Sequence, residues 1–137
     1  MSRDTTTVGN RTEGIVLAAL MQAGKSVLLP FGGGHAYDLA VDDGGTLIRV
    51  QCKTAFFKAG SIVFNARSVN AASRANMPYQ GRADVFGVYS AHTGKVYLVP
   101  VAEIGTAQGY LRVDPVRNGQ SVGIRWAADY ELAAVAQ

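Results

Sequence analysis

Three polar side chains in the first half of the chain, Asp38, Gln51 and Lys53, have types that together could hold a hard cation and stabilise negative charge. They lie in the segment 37–54, which predicts two strands joined at Asp43-Gly44-Gly45, because tight hairpin turns need residues that accept positive φ. Side chains alternate between the faces of a strand, so Gln51 and Lys53 project from the same face. We predict that the three polar groups share one patch.

The register of this hairpin depends on which residues form its turn. A two-residue turn at Gly44-Gly45 places Asp38 directly opposite Gln51. A turn at Asp43-Gly44 makes Arg49 the partner and leaves Gln51 as a diagonal neighbour on the same face. A three-residue loop would alter the pairing, and the competing interpretation is a solvated polar face on an edge hairpin.

Any metal bound by this chain is expected to have oxygen ligands. The single cysteine, Cys52, excludes cysteine-based zinc clusters and internal disulfides. The two histidines, His35 and His92, lie far apart without the spacing of metal ligands. Oxygen ligands favour magnesium, manganese or calcium.

Length and composition suit one compact domain over residues 1–137, with residues 1–7 as a flexible arm. Hydrophobic residues make up 48% of the chain, which is enough for a sizeable core and too many for disorder. The N-terminus is polar and lacks the apolar segment of a signal peptide, and the longest apolar run is too short to span a bilayer. We therefore expect a cytoplasmic protein without a membrane partner.

A mild basic bias permits nucleic-acid binding without requiring it. The net charge is +3, from 13 Lys and Arg residues against 10 Asp and Glu residues. Arginine suits bidentate contacts to phosphate, and histidine can contact phosphate or transfer a proton. The candidate contacts are Arg11, His35, Arg67, Arg74, Tyr79 and Arg82. The competing interpretation is an ordinary solubilising surface.

A helix is predicted from Thr7, a plausible N-cap, to about Ala23, with Gly24 as its C-terminal cap. Glu13 precedes apolar helix residues by three, four and seven positions, so it projects from the side that faces the core. A carboxylate there is costly unless it is paired or binds a cation. The competing interpretation is a first-turn glutamate that favours the helix N-terminus.

The remaining elements are predicted from apolar runs and turn residues. The strands are expected at 26–31, 36–42, 46–54, 61–65, 83–89, 96–100, 110–113 and 121–126, with an irregular or partly helical segment at 67–82, a short helix at 101–104 and a C-terminal helix at 127–135. The near-continuous apolar character of 83–89 indicates a central strand.

The order of these elements, helix with Glu13, strand, strand with Asp38, strand with Gln51-Cys52-Lys53, resembles the PD-(D/E)XK nuclease superfamily. The resemblance is closest to a branch of small bacterial and phage endonucleases with a Tyr-Asp-Leu strand and a Val-Gln-x-Lys-Thr strand, which appear here at 37–39 and 50–54. It implies an α/β (α+β) fold with a restriction-endonuclease-like core, a mixed β-sheet flanked by helices. Gln51 stands where the superfamily usually has Glu or Asp, although this branch accepts Gln.

The resemblance also implies roles for the site residues. Asp38, Gln51, the backbone carbonyl of Cys52 and Glu13 would hold Mg²⁺ or Mn²⁺, and Lys53 would stabilise charge on the phosphate or orient the attacking water. The alternative for Lys53 is a cross-strand ion pair with Asp38. Because Gln51 brings no charge, we expect weaker metal binding than in a site with Glu.

The implied function is a metal-dependent DNA endonuclease. A structure-selective enzyme that resolves Holliday junctions is the first substrate hypothesis, and a small homodimer or higher homo-oligomer would present two sites to two strands of duplex or branched DNA. A sequence-specific homing or restriction enzyme is the second hypothesis. The third is a non-catalytic DNA-binding or assembly module that retains the nuclease fold.

Overall fold

The computed structural model describes residues 5–69, 76–116, 119 and 122–133. Its elements in chain order are α1 (Thr5–Gln22), β1 (Ser26–Leu28), β2 (Leu39–Asp43), β3 (Thr46–Lys58), β4 (Ser61–Asn65), β5 (Arg67–Val69), β6 (Asn76–Pro78), β7 (Val85–Ser90), β8 (Lys95–Pro100), a 3₁₀ helix (Val101–Glu103), β9 (Gln108–Arg112) and a second 3₁₀ helix (Ala127–Asp129). The expected mixed sheet with flanking helix is confirmed. No helix among the described residues is long and apolar enough to cross a membrane.

Helix α1 ends where predicted and begins earlier than predicted. Gly24 has φ 80°, and its N–H donates to Met21 O at 3.0 Å while the N–H of Lys25 donates to Leu20 O at 3.0 Å. This pair of bonds is a Schellman cap, for which glycine is the favoured residue. At the other end the helix already includes Thr5, so Thr7 is not its N-cap. The prediction of an arm is therefore wrong for 5–7, and residues 1–4 lie outside the described residues.

Strand β3 pairs with β2, β4 and β7 and is the central strand of a seven-stranded sheet. Along one path the strands pair in the order β1-β2-β3-β4-β9, and β7 pairs parallel with β3 and antiparallel with β8. The β2–β3 hairpin has the register Leu39↔Val50 to Asp43↔Thr46, so the two-residue turn at Gly44-Gly45 is confirmed. The parallel pair runs from Val50↔Val85 to Ala55↔Ser90. Strand β7 is therefore an inner strand, as its apolar run predicted.

Two cores lie on opposite faces of the sheet. On one face α1 contributes Val16 and Leu20, which pack with residues of β2 and β3 such as Leu39 and Val50. Gly87 on β7 allows this close approach, because a Cβ there would lie 2.9 Å from Val16 Cγ1. The other face carries a larger cluster, which includes Ile62, Phe64, Tyr79, Phe86, Val88, Tyr97, Val99 and Leu111. Gln51 and Lys53 pair with Phe86 and Val88, so they project toward this second face.

Two segments differ from their predicted structure. The region predicted as irregular or helical, 67–82, contains the two-stranded sheet β5–β6 in its described part. The predicted helix at 127–135 is a 3₁₀ turn, after which Glu131 forms a bridge with Tyr97. The N–H of Leu132 donates to Val96 O at 2.9 Å, so the chain satisfies backbone groups along the edge of β8. Residues 134 and 135 of that prediction lie outside the described residues.

The strand predicted at 121–126 is also wrong in its described part. Within 122–126 only Trp126 pairs, through an isolated bridge to Arg112. The N–H of Arg112 also donates to Arg125 O at 2.7 Å, so this contact with β9 lies at the end of the segment.

Candidate active site

The carboxylate of Asp38 is fixed against the edge of β3. Asp38 lies in the bend just before β2, and its N–H donates to Val50 O at 2.8 Å. Its Oδ2 accepts the N–H of Cys52 at 2.9 Å. Because β2 starts only at Leu39, the carboxylate takes the place of a strand partner for this N–H. The Asp38 side chain therefore has a set orientation relative to the Gln51-Cys52 peptide.

Glu13 meets Asp38 from helix α1. Residues 9–12 are already helical, so Glu13 is not a first-turn residue and that interpretation does not apply. The pKa of Glu13 is raised from 4.5 to about 7, first by burial, then by a hydrogen bond with Asp38 and by the negative charge of Asp38. Two carboxyl groups in contact thus hold a proton near neutral pH. A cation placed between them would relieve the same repulsion.

A cavity of about 250 Å³ contains this carboxyl pair. Glu13, Asp38, Gln51 and Cys52 line it together. Thr12 on α1 and Thr54 on β3 also line it, and their Oγ1 atoms are 2.6 Å apart, which ties the helix to the strand at this point. Four of the residues that the sequence analysis assigned to a metal site therefore lie at one place.

The donor set of this cavity fits an oxygen-preferring divalent cation. It offers the carboxylates of Glu13 and Asp38, the amide of Gln51 and the backbone carbonyl of Cys52. The amide nitrogen of Gln51 lies 3.5 Å from Cys52 O, so the side chain and the carbonyl point to the same region. Across the described residues, no three His, Cys, Asp or Glu side chains gather into a metal-binding group, so in this donor set the oxygens beyond the two carboxylates come from the amide and the carbonyl.

The thiol of Cys52 is not part of this donor set. Cys52 packs with the core cluster beneath α1, and its pKa is raised, first by burial and then by the charges of Asp38 and Glu13. A thiol that keeps its proton is a poor metal ligand and a weak nucleophile. Its side chain acts as a small apolar group.

Lys53 does not line the cavity, and its ammonium has other partners. Nζ donates to the hydroxyl of Tyr79 at 3.0 Å and to Arg67 O at 3.3 Å. It also lies 4.7 Å from the centroid of the Tyr79 ring. The partners of Lys53 are thus Tyr79 and Arg67 rather than Asp38, the alternative ion pair of the sequence analysis.

A second cavity, of about 310 Å³, adjoins the first. It shares Glu13 and Asp38 and is completed by the glycine-rich loop at 29–35. His35 lines it and is exposed, and its Nε2 lies 2.9 Å from Phe31 O, which fixes the ring on the loop. His35 therefore lies next to the carboxyl pair, and its role as a phosphate contact stays a prediction.

The other predicted DNA contacts have different surroundings. Arg11 is exposed on α1, Arg67 is half-buried at the start of β5, and Arg74 lies outside the described residues. Arg82 is half-buried, and its Nη1 is a buried atom without a hydrogen-bond partner among the described residues. Tyr79 exposes only 4% of its surface and its hydroxyl accepts a bond from Lys53, so its prediction as a direct DNA contact is wrong.

One ion pair near the site was not predicted. Asp84 accepts Arg49 Nε on Oδ2 at 3.1 Å and Arg49 Nη2 on Oδ1 at 3.1 Å, and its Oδ2 also accepts the N–H of Arg49 at 2.8 Å. These bonds from Arg49 lower the pKa of Asp84. The pair joins β3 to β7 at the start of their parallel ladder. Only the β3–β7 register reveals it, because the two residues lie far apart in sequence.

Comparison with known proteins agrees with this fold. The mixed sheet with its flanking helix is of the restriction-endonuclease-like class. The model of the PD-(D/E)XK endonuclease family matches residues 3–133, so the chain belongs to that nuclease family. No curated protein matches the chain.

A solved structure supports the same fold. The bacterial homing endonuclease I-Ssp6803I is similar to this chain with a TM-score of 0.73 and 23% sequence identity, over 94% of this chain and 89% of that one. At this level of identity the similarity concerns the fold.

Proposed function

We propose that this chain is a divalent-metal-dependent DNA endonuclease that hydrolyses phosphodiester bonds at the cavity formed by Glu13, Asp38, Gln51 and Cys52. The observation that carries the proposal is the contact between the two carboxyl groups beside the amide of Gln51 and the carbonyl of Cys52, in a chain of the PD-(D/E)XK endonuclease family. Carboxylate, amide and carbonyl oxygens are the ligands that Mg²⁺ and Mn²⁺ prefer.

Asp38, Gln51, the carbonyl of Cys52 and Glu13 would hold the cation. When bound, Mg²⁺ or Mn²⁺ supplies polarisation of a phosphoryl oxygen and a lowered pKa of a bound water. Asp38 is oriented in advance by the N–H of Cys52, so less ordering is required when the cation binds. The amide of Gln51 adds no charge, and we expect weaker metal binding than at a site with a third carboxylate.

The chain's own cations act on the substrate. Lys53 would stabilise the charge that develops on the scissile phosphate. His35 and Arg11, both exposed, would bind phosphates that flank the cut, and the half-buried Arg67 and Arg82 would add positive charge. Arg74, which lies outside the described residues, stays a predicted DNA contact. A homodimer would bring two such cavities to two strands.

The direct test is cleavage of labelled linear, nicked and four-way-junction DNA with Mg²⁺ or Mn²⁺, with a chelator as the blank. We expect metal-dependent cleavage that collapses in Asp38→Asn and Lys53→Ala while DNA binding persists. Asp43→Asn is the matched control, because Asp43 is exposed on β2 beside the hairpin turn and away from the cavity. Full cleavage by Asp38→Asn would refute the proposal.

The same assay separates the substrate hypotheses. Preferential cutting of the four-way junction supports a resolvase-like enzyme that reads DNA shape. Cutting of linear duplex at one sequence supports a homing or restriction enzyme, the class of the solved neighbour I-Ssp6803I.

One observation favours a second function, a DNA-binding module without catalysis. Position 51 holds an amide, and the ammonium of Lys53 is bonded to Tyr79 and Arg67. In that case DNA binds equally with and without chelator, and no substrate is cut. The dependence of binding on salt then reports how many phosphates are contacted.

A further inference from the structure

The ammonium of Lys53 is held by a segment that lies outside the hairpin that carries it. Its Nζ donates to the Tyr79 hydroxyl at 3.0 Å and to Arg67 O at 3.3 Å, and it lies 4.7 Å from the Tyr79 ring centroid. Both partners come from the chain between β4 and β7. Two contacts of different kinds, with a hydroxyl and with a carbonyl, therefore define one position for this charge.

Tyr79 is itself immobilised. It is 4% exposed and packs edge-on against Phe86, with ring centroids 5.5 Å apart and planes at 88°. Its carbonyl accepts the N–H groups of Arg82 at 2.8 Å and of Ala83 at 2.9 Å, which closes the turn before β7. Phe86 pairs with Gln51 in the parallel ladder. The Tyr79 hydroxyl is thus fixed relative to the strand that carries both Gln51 and Lys53.

A fixed anchor matters because a lysine side chain alone does not hold its ammonium in one place. Its ammonium sits on a flexible stem that loses rotamer entropy when it is ordered. A group that stabilises charge in a transition state acts best when it is already in place. Lys53 and Gln51 are two residues apart on β3, so both side chains project from the same face of this strand.

We propose that Tyr79 is the positioning residue for Lys53, and that its hydroxyl sets the location from which the ammonium serves the cleavage reaction. This inference rests on the proposed function, because it takes Lys53 as the cation that faces the phosphate. It assigns Tyr79 a role that acts through Lys53 and requires no contact between Tyr79 and DNA.

Tyr79→Phe tests the role, because it removes the hydroxyl and keeps the ring that packs on Phe86. Tyr97→Phe is the matched control: Tyr97 is 2% exposed, belongs to the same core cluster, and loses one hydrogen bond, from its hydroxyl to Thr93 Oγ1 at 2.9 Å. We expect kcat to fall about tenfold to a hundredfold in Tyr79→Phe, with KM and the DNA dissociation constant unchanged. Tyr97→Phe should keep the kcat of the wild-type protein.

A second measurement is independent of cleavage. The chain has four lysines, and ¹⁵N NMR of their ammonium groups reports which of them is held in a hydrogen bond. Lys53→Arg assigns the Lys53 signal. We expect Tyr79→Phe to shift or broaden that signal alone, and Tyr97→Phe to leave all four signals in place.

The outcomes separate this inference from the proposed function. If the wild-type protein cleaves DNA and Tyr79→Phe cleaves with an unchanged kcat, the positioning role is refuted and the nuclease proposal stands. An unchanged Lys53 ammonium signal in Tyr79→Phe also overturns the inference. If the wild-type protein does not cleave DNA in the presence of metal, the proposed function fails, whereas a shifted signal still supports the hold of Tyr79 on Lys53.

Discussion

Replacing Glu13 by glutamine should flatten the pH dependence of folding stability between acidic and neutral pH. The pKa of Glu13 rises from 4.5 to about 7 on folding, with burial as the first cause and Asp38 as the second. In this window the folded protein binds more protons than the unfolded chain, so the free energy of unfolding falls as the pH rises from 4.5 to about 7. Glutamine does not titrate, so the Glu13→Gln protein should not show this fall in the free energy of unfolding.

The size of this effect follows from the two pKa values. A shift from 4.5 to about 7 corresponds to about 3 kcal/mol if it is fully expressed. Solvent reaches the carboxyl group and screens its interaction with Asp38, so we expect about 1 kcal/mol. Between pH 4.5 and about 7, the wild-type protein should therefore lose about 1 kcal/mol that Glu13→Gln retains.

Chemical denaturation in the presence of a chelator measures this difference. Asp43→Asn is a control that removes one exposed carboxylate at the end of β2 and leaves the Glu13–Asp38 pair intact. A Glu13→Gln stability curve parallel to that of the wild-type protein would refute the reasoning about the carboxyl pair. The Asp43→Asn protein should keep the loss of stability that the wild-type protein shows.

The remaining predictions concern charge, the β3–β7 junction and helix packing. Gln51→Glu adds a third carboxylate to the cavity and should raise Mn²⁺ affinity about tenfold by titration calorimetry, and unchanged affinity would place the cation elsewhere. Asp84→Asn breaks the bidentate pair between Asp84 and Arg49. The side chains of Arg49 and Asp84 are 35% and 40% exposed, so the change should lower the free energy of unfolding in urea by about 1 kcal/mol. An unaltered urea midpoint would contradict this prediction. Gly87→Ala brings a Cβ to 2.9 Å from Val16 Cγ1 and should destabilise the protein by about 1–3 kcal/mol, so a stability equal to wild type would argue against this contact.

The local parts of the fold were predictable because short-range signals determine them. The Gly44-Gly45 turn and the Gly24 cap both need positive φ, which glycine adopts without strain, and the structure has φ values of 61°, 95° and 80° at these positions. Strand β4 follows its apolar run over Ser61–Asn65. The phase of helix α1 predicted that Glu13 projects from the core-facing side, and Glu13 lines one cavity with Asp38.

Long-range pairing accounts for what the sequence could not predict. The alanine-rich C-terminal segment favours a helix locally, but its backbone bonds to β8 through Tyr130 O and the N–H of Leu132. The anchor of Lys53 on Tyr79 depends on how the segment between β4 and β7 folds back over β3. Neither contact leaves a periodic pattern in a single sequence.

The central claim is that the cavity of Glu13, Asp38, Gln51 and Cys52 binds a divalent cation. A crystal soaked in Mn²⁺ and measured at the manganese absorption edge locates the ion directly. We predict an anomalous peak at roughly 2–2.3 Å from oxygens of Asp38, Gln51 and the Cys52 carbonyl, with Glu13 beside it. A peak at another place, or an ordered cavity that holds no manganese at saturating concentration, would contradict the account.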